Sequence, residues 1–210
     1  MNRTTARLAA WCLITGCVLA TAGYLSAFLA NGNGDERFSG SSWTTLYTIA
    51  LFGNVLVVLG LPTLLHVQAG RSPRLSLIGY VGIFVPLVIL NLGEGCLEAF
   101  VKPYLADHGG IPTNDPSGLT AYEVPALLFV LVGMGCLAAA VFRARVLPWW
   151  VGVLFIVSAL VAVAGLPGGA GLIADYALFV ALFTVGVTAL RSPVDATRDE
   201  ATSPGLAVRR

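Results

Sequence analysis

The sequence predicts an all-α, polytopic membrane protein, and three observations lead to this fold class. First, 57% of the 210 residues are hydrophobic and only 11% are charged, whereas a soluble domain carries about 25% charged residues. Second, the apolar residues form six runs, each close to the roughly 20 residues that a helix needs to cross a bilayer. Third, the net charge of +1 offers no basic surface for phosphates. A soluble enzyme and a nucleic-acid binder are therefore excluded.

The six predicted spans are mostly apolar and nearly free of charge. They run approximately Leu8–Leu29, Leu46–Leu65, Ser76–Ala99, Tyr122–Phe142, Leu147–Leu166 and Leu172–Leu190. We therefore divide the chain into a six-helix transmembrane domain, residues 1–191, and a tail, residues 192–210. The tail mixes Pro, Ser, Thr and charged residues, which predicts a disordered segment.

Each span has its own boundary signals. The first follows two arginines and is too long for the apolar region of a signal peptide, so we expect a retained helix. The third contains Pro86, which cannot donate a hydrogen bond to the carbonyl of Gly82 and predicts a kink. The fourth follows a loop at Lys102–Thr120 that is dense in turn formers, and the fifth follows the basic segment FRARVLP.

The basic residues predict the orientation of the helices. Ten of the 12 Lys and Arg residues flank the spans on one side, and only Arg37 and Lys102 lie on the other. Because basic loops stay in the cytosol, both termini are predicted to be cytosolic and the loops that carry Arg37 and Lys102 extracytoplasmic.

Four glycines predict a close contact between the first two spans. Gly16 and Gly23 lie seven residues apart in span one, as do Gly53 and Gly60 in span two. Seven residues return to nearly the same helix face, and small residues let helix backbones approach each other in lipid. We expect an antiparallel hairpin along these glycines.

Polar residues concentrate in the outer halves of the spans. Asn91, Glu94 and Glu98 share one face of span three, since their spacing is i, i+3, i+7. Asp175 lies about one turn inside the outer end of span six. Four tyrosines lie at a similar depth: Tyr24, Tyr47, Tyr122 and Tyr176. The predicted ligand-binding residues of this outer, acidic cavity are Asn91, Glu94, Glu98, Tyr47, Tyr122, Glu123, Asp175 and Tyr176.

Simpler interpretations of these residues stay open. Tyrosines at helix ends are typical of an aromatic belt at the membrane interface. Glu98 and Glu123 fit solvated interface positions as well as a cavity. Glu94 and Asp175 lie deeper, where an ionisable group is costly in lipid and usually faces the protein interior. These two are therefore the candidates for a catalytic role, or for a structural polar contact.

The remaining chemistry-bearing residues predict no metal site and no cofactor. His66 and His108 fall on opposite sides of the membrane and cannot share a metal ion or a haem. The four cysteines form no Cys-x-x-Cys pair, so we expect no disulfide and no thiol chemistry. The chain also lacks a P-loop and a dinucleotide-binding fingerprint.

Three segments carry a resemblance to a group of known proteins: LGLPTLLHVQAGRSPRLSLIGYVG, GCLEAFVKPYLA and FRARVLPWWVGVLFIVSALVAV. Together they resemble small six-span membrane proteins that are widespread in high-GC bacteria. The resemblance covers most of the chain and implies a multi-pass protein of the bacterial cytoplasmic membrane. It implies no particular activity and no catalytic residue.

Three functions are compatible with these observations. One is the binding or translocation of a cation or small amphiphile in the outer cavity, although a six-span transporter would need to form a homo-oligomer. Another is an acid-catalysed enzyme on an isoprenoid-like lipid, with Glu94 as the acid, although a Trp-Glu acid motif and the paired acids of lycopene cyclases are absent. The third is a structural or regulatory membrane subunit. The expected partners are membrane lipid, an unidentified ligand or substrate, and a second copy of the chain.

Overall fold

The computed structural model describes residues 3–32, 34–68, 71–111, 118–165 and 171–191. Within these residues the protein is 89% helical and contains no strand, which confirms the all-α fold class. The predicted disordered tail, residues 192–210, lies outside the described residues, as does the centre of the predicted outer loop, residues 112–117.

Eight α-helices and three shorter helical segments follow one another along the described chain. The α-helices are α1 (Arg3–Asn31), α2 (Trp43–Gly60), α3 (Pro62–Gln68), α4 (Pro73–Pro86), α5 (Lys102–Asp107), α6 (Leu119–Ala144), α7 (Trp149–Ala164) and α8 (Leu172–Arg191). A 3₁₀ helix at Asp35–Ser39 precedes α2, and two π-helical segments, Leu87–Glu94 and Leu97–Val101, join α4 to α5.

Among the described residues, five helical stretches are long and apolar enough to cross a membrane. They are Thr4–Asn31, Trp43–Gln68, Pro73–Asp107, Glu123–Ala144 and Leu172–Arg191. The predicted fifth span corresponds to α7, which is apolar but has only 16 residues. At 1.5 Å per residue it is about 24 Å long, against a hydrocarbon core of about 30 Å. The chain is thus a helical membrane protein, and the sixth span and the orientation stay predictions.

The predicted span boundaries were approximate, and several helix ends differ from them. The second span begins at Trp43 rather than Leu46, and a turn at Leu61 divides it before Pro62. The loop predicted from Lys102 starts instead with the short helix α5, which extends to Asp107. Proline is accepted in the first turn of a helix, where its missing N–H would have no partner, so Pro103 starts α5 rather than ending the helical stretch.

The third span changes its helix type at Pro86. α4 ends at this proline, and π-helical turns follow over Leu87–Glu94 and Leu97–Val101. Because Pro86 has no N–H, the regular α-helical hydrogen bonding cannot continue through it. π-helical turns are rare and occur frequently at functional sites. Here they form the part of the span that carries Asn91, Glu94 and Glu98.

The predicted glycine hairpin of α1 and α2 is confirmed. A Cβ atom built on Gly16 would lie 2.7 Å from the carbonyl oxygen of Gly53, and one built on Gly60 would lie 2.5 Å from the backbone nitrogen of Leu13. Gly23 packs in the same way against Ala50. No side chain fits between the two backbones at these positions, so the glycines set the distance between the helices.

A second glycine contact joins α4 to α6, and it was not predicted from the sequence. Gly82 and Gly133 lie so close that a Cβ atom on either would collide with the backbone of the other. The helices form a ring in the order α2, α1, α8, α7, α6 and α4, and the first π-helical segment closes it by contacting α2. The interior of this ring holds the hydrophobic core and, at one end, a cavity.

Candidate ligand-binding cavity

The cavity has a volume of about 530 Å³ and lies at the end of the bundle where the acidic residues of span three and α8 meet. We call this the acidic end. Polar and aromatic residues from eight elements line it: Tyr24, Phe28, Arg37, Tyr47, Asn91, Glu94, Glu98, Glu123, Ser158 and Asp175. Its volume falls in the range of about 300–1,000 Å³ that is usual for small-molecule sites.

Asn91 and Asp175 connect the third span to the last helix. The side-chain amide of Asn91 donates a hydrogen bond of 3.1 Å to Oδ1 of Asp175. Asp175 lies in the first turn of α8, where a negative charge interacts favourably with the helix dipole. The neighbouring carbonyl, that of Ala174, accepts a 2.8 Å hydrogen bond from Ser158 of α7. The start of α8 is therefore held from two sides of the cavity.

Glu94 lies one π-helical turn beyond Asn91 and lines the same cavity as Asp175. Its Oε1 atom is buried and has no hydrogen-bond partner among the described residues. Glu98 and Glu123, which also line the cavity, act on Glu94 through their like charges. A buried acceptor without a donor is unfavourable, so the burial of this oxygen needs an explanation.

Glu98 binds the two cations of the acidic end. Its carboxylate forms an ion pair with Arg37 at 3.8 Å and a hydrogen-bonded ion pair with Lys102, one helical turn further along the chain. Its backbone carbonyl accepts a 2.9 Å hydrogen bond from the indole N–H of Trp43. Arg37 and Lys102 are the two basic residues that the topology prediction places on the outer side, and the structure brings both to one carboxylate.

An aromatic cluster covers the side of the cavity next to Glu98. Trp43 is fully buried and packs edge to face against Phe28 and Phe38, with ring centroids 5.3 Å apart in each pair. The guanidinium of Arg37 lies over all three rings, closest to Phe38 at 4.5 Å. Such cation–π contacts fix the position of Arg37 at the edge of the cavity.

A buried polar contact below the acids links α1 to α2. Asn54, with no exposed surface, donates a 2.8 Å hydrogen bond to the hydroxyl of Tyr24, and Tyr47 packs edge to face on Tyr24 at 5.1 Å. Asn54 was not among the residues predicted for the cavity. The signal was available, because a lone asparagine in the middle of an apolar helix is costly in lipid and usually faces a polar partner.

The predicted site residues fall into three groups. Asn91, Glu94, Glu98, Glu123, Asp175 and Tyr47 all line the cavity. Tyr176 does not line it: its ring packs against the hydrophobic core, and its buried hydroxyl has no partner among the described residues. The side chain of Tyr122 lies outside the described residues. Arg37, Phe28 and Ser158 line the cavity but were not predicted.

The chain's other candidate groups lie elsewhere. His108 stacks on Tyr104 beyond the acidic end, with ring centroids 4.2 Å apart. Within the described ranges, the structure groups no three His, Cys, Asp or Glu side chains closely enough to hold a metal ion.

Comparison with models of known protein families, with curated proteins and with solved structures finds no match for this chain. We therefore derive the function from the residues of the cavity.

Proposed function

We propose that this membrane protein binds a small organic cation or cationic amphiphile in the cavity at its acidic end. Of the four carboxylates that line the cavity, Glu98 is already paired with Arg37 and Lys102. The other three are Glu94, Glu123 and Asp175. Closely spaced carboxylates are unfavourable unless a positive charge compensates them, and a cationic ligand would supply that charge.

The buried, unpartnered oxygen of Glu94 is the observation that carries this proposal. A purely structural carboxylate is expected to satisfy its oxygens with neighbouring donors, as Glu98 does with two cations and Asp175 with Asn91. Glu94 has a buried oxygen without such a donor, and its side chain lines a cavity of ligand size. This arrangement favours a binding site over a subunit whose polar groups only join helices.

The packing below the cavity favours binding over translocation. Passage to the opposite end of the bundle would have to run through the interior of the ring, and the backbone contacts of Gly16 with Gly53 and of Gly82 with Gly133 hold the helices of this ring close together. The core beneath the acids is also filled with large buried side chains such as Phe155, which has no exposed surface. Under this proposal the extracytoplasmic side, which the positive-inside rule assigns to the acidic end, is the side from which the ligand enters.

Calorimetric titration of the full chain in lipid nanodiscs tests the proposal, with hexylammonium and hexyltrimethylammonium as probes. We expect at least one of them to bind, and Glu94→Gln to weaken that binding about tenfold or more, because the substitution removes the negative charge that attracts the cation. Glu36→Gln is the matched control, since Glu36 is exposed and does not line the cavity. If neither cation binds, or if Glu94→Gln binds like the wild type, the proposal is wrong.

A further inference from the structure

We infer that the ligand is an amphiphile with a protonated primary or secondary amine, whose N–H groups donate to Glu94 and Asp175 while its apolar part lies along the hydrophobic wall of the cavity. This inference rests on the proposed function and names the class of ligand. Three features support it. Carboxylate oxygens lack hydrogen-bond donors, the aromatic rings of the lining already pack against other residues, and much of the lining is aliphatic.

The acidic residues offer hydrogen-bond acceptors in excess of donors. Oε1 of Glu94 is buried without a partner among the described residues, and Asp175 accepts one hydrogen bond, from Asn91. An ionised carboxylate has about four acceptor positions, so both residues can accept more. A protonated primary amine brings three N–H donors and a positive charge, whereas a quaternary ammonium brings the charge alone.

The aromatic residues of the cavity do not form an open cage for a quaternary ammonium group. Such a cage needs free ring faces. The ring of Tyr24 stacks on Phe179 with centroids 6.4 Å apart, and the ring of Tyr47 lies 5.2 Å from Trp43. Phe28, the third aromatic residue of the lining, has Arg37 at 5.4 Å from its ring centre. Each ring thus has a neighbour against it, and the carboxylates are the better partners for a cation.

Much of the remaining lining of the cavity is aliphatic. It is formed by Ile83, Leu87, Leu90, Val130, Met134 and Leu178. A small inorganic cation would leave these side chains in contact with water. An alkyl or aryl group would remove their apolar surface from water, which is favourable by roughly 25 cal/mol per Å² of buried surface. Hard divalent cations also require six or more oxygen ligands in a dedicated arrangement. The ligand therefore combines an amine with an apolar group.

A matched set of four probes tests the inference on the full chain in nanodiscs: hexylammonium, hexyltrimethylammonium, 1-hexanol and magnesium chloride. We expect hexylammonium to bind at least about tenfold more tightly than each of the others, because only it combines N–H donors, charge and an apolar chain. In Glu94→Gln the preference for hexylammonium over hexyltrimethylammonium should shrink, while in Glu36→Gln it should stay.

The outcomes separate this inference from the proposed function. If hexyltrimethylammonium binds as tightly as hexylammonium and both depend on Glu94, the amine inference is overturned and the cation site stands. Tighter binding of magnesium, or equal binding of 1-hexanol, also overturns the inference. If none of the cations binds to wild-type protein, the proposed function and the inference fail together. A melting curve of each variant, with Asp175→Asn as a second cavity substitution, checks that folding is intact.

Discussion

Asn91 of the third span donates a 3.1 Å hydrogen bond to Asp175 of α8, across the cavity at the acidic end. Residues that are 84 positions apart in the chain thereby fix the distance between two helices that both carry candidate ligand-binding acids. The bond also orients the carboxylate of Asp175, since one of its oxygens is committed to Asn91. The structural role of this contact leads to the first prediction.

A double-mutant cycle of Asn91→Leu and Asp175→Leu should show a favourable coupling energy. Side-chain hydrogen bonds between membrane helices contribute about 0.6 kcal/mol on average and up to about 1.7 kcal/mol. Unfolding of the four proteins in detergent, followed by circular dichroism, measures the coupling. Strictly additive effects of the two substitutions would show that the contact contributes nothing to stability.

Substitution of the interhelical glycines should destabilise the protein. Gly53→Leu and Gly82→Leu would force apart backbones that are in contact, at a cost of about 1–3 kcal/mol or more. Gly135→Leu is the matched control, because Gly135 lies in α6 with open space around the position of its missing Cβ. Thermal melting in detergent compares the three variants. Equal melting temperatures for Gly53→Leu and Gly135→Leu would contradict the packing of α1 on α2.

The two cations around Glu98 should differ in their contributions to stability. Arg37→Gln removes an ion pair and the cation–π contacts with three rings, each worth about 0.5–1 kcal/mol or more where solvent is excluded. Lys102→Gln removes an ion pair, worth about 1 kcal/mol or less, and a single cation–π contact, with Phe38, from a side chain that is 37% exposed. Unfolding free energies should therefore fall further for Arg37→Gln. The reverse order would mean that the aromatic cluster does not hold Arg37.

Reporter fusions should settle the number of spans and their orientation. Fusions after Gly34, Arg71, Asn114, Arg145 and Gly169 are expected to lie outside, inside, outside, inside and outside, because the basic segments stay in the cytosol. The last two sites decide whether the 16-residue helix α7 crosses the membrane. An external reporter at Arg71 or Arg145 would overturn the topology, and an internal one at Gly169 would remove the sixth span.

The sequence predicts the fold better than the site. Composition and apolar runs determine a helical membrane protein, and the seven-residue glycine spacing is enough to pair α1 with α2, since both signals are local. The contact of Gly82 with Gly133 was missed because the two glycines of α4 are three residues apart and the two of α6 are two residues apart, so neither pair shows the seven-residue spacing. The π-helical turns after Pro86 were also missed, because a proline predicts an interruption but not the helix type that follows.

The positions of the acidic residues along their helices can be predicted from the sequence, but their contact partners cannot. Counting along each helix places Glu94, Glu98 and Asp175 at one end of the bundle. It does not reveal that Arg37, from a separate loop, pairs with Glu98, or that Tyr176 packs on the core instead of lining the cavity. Both facts depend on how neighbouring helices are rotated about their axes, and this rotation is set by the packing of the whole ring.

The most direct test of a ligand at Glu94 is chemical modification of its carboxyl group. Dicyclohexylcarbodiimide enters membranes and modifies carboxyl side chains, and peptide mass spectrometry gives the rate at each site. If the amine of a ligand occupies the cavity, saturating hexylammonium should slow the loss of the unmodified Glu94 peptide and leave that of the exposed Glu36 peptide unchanged, with the N-acylurea and the hexylamide products counted together. Modification of Glu94 at the same rate with and without hexylammonium would contradict the account.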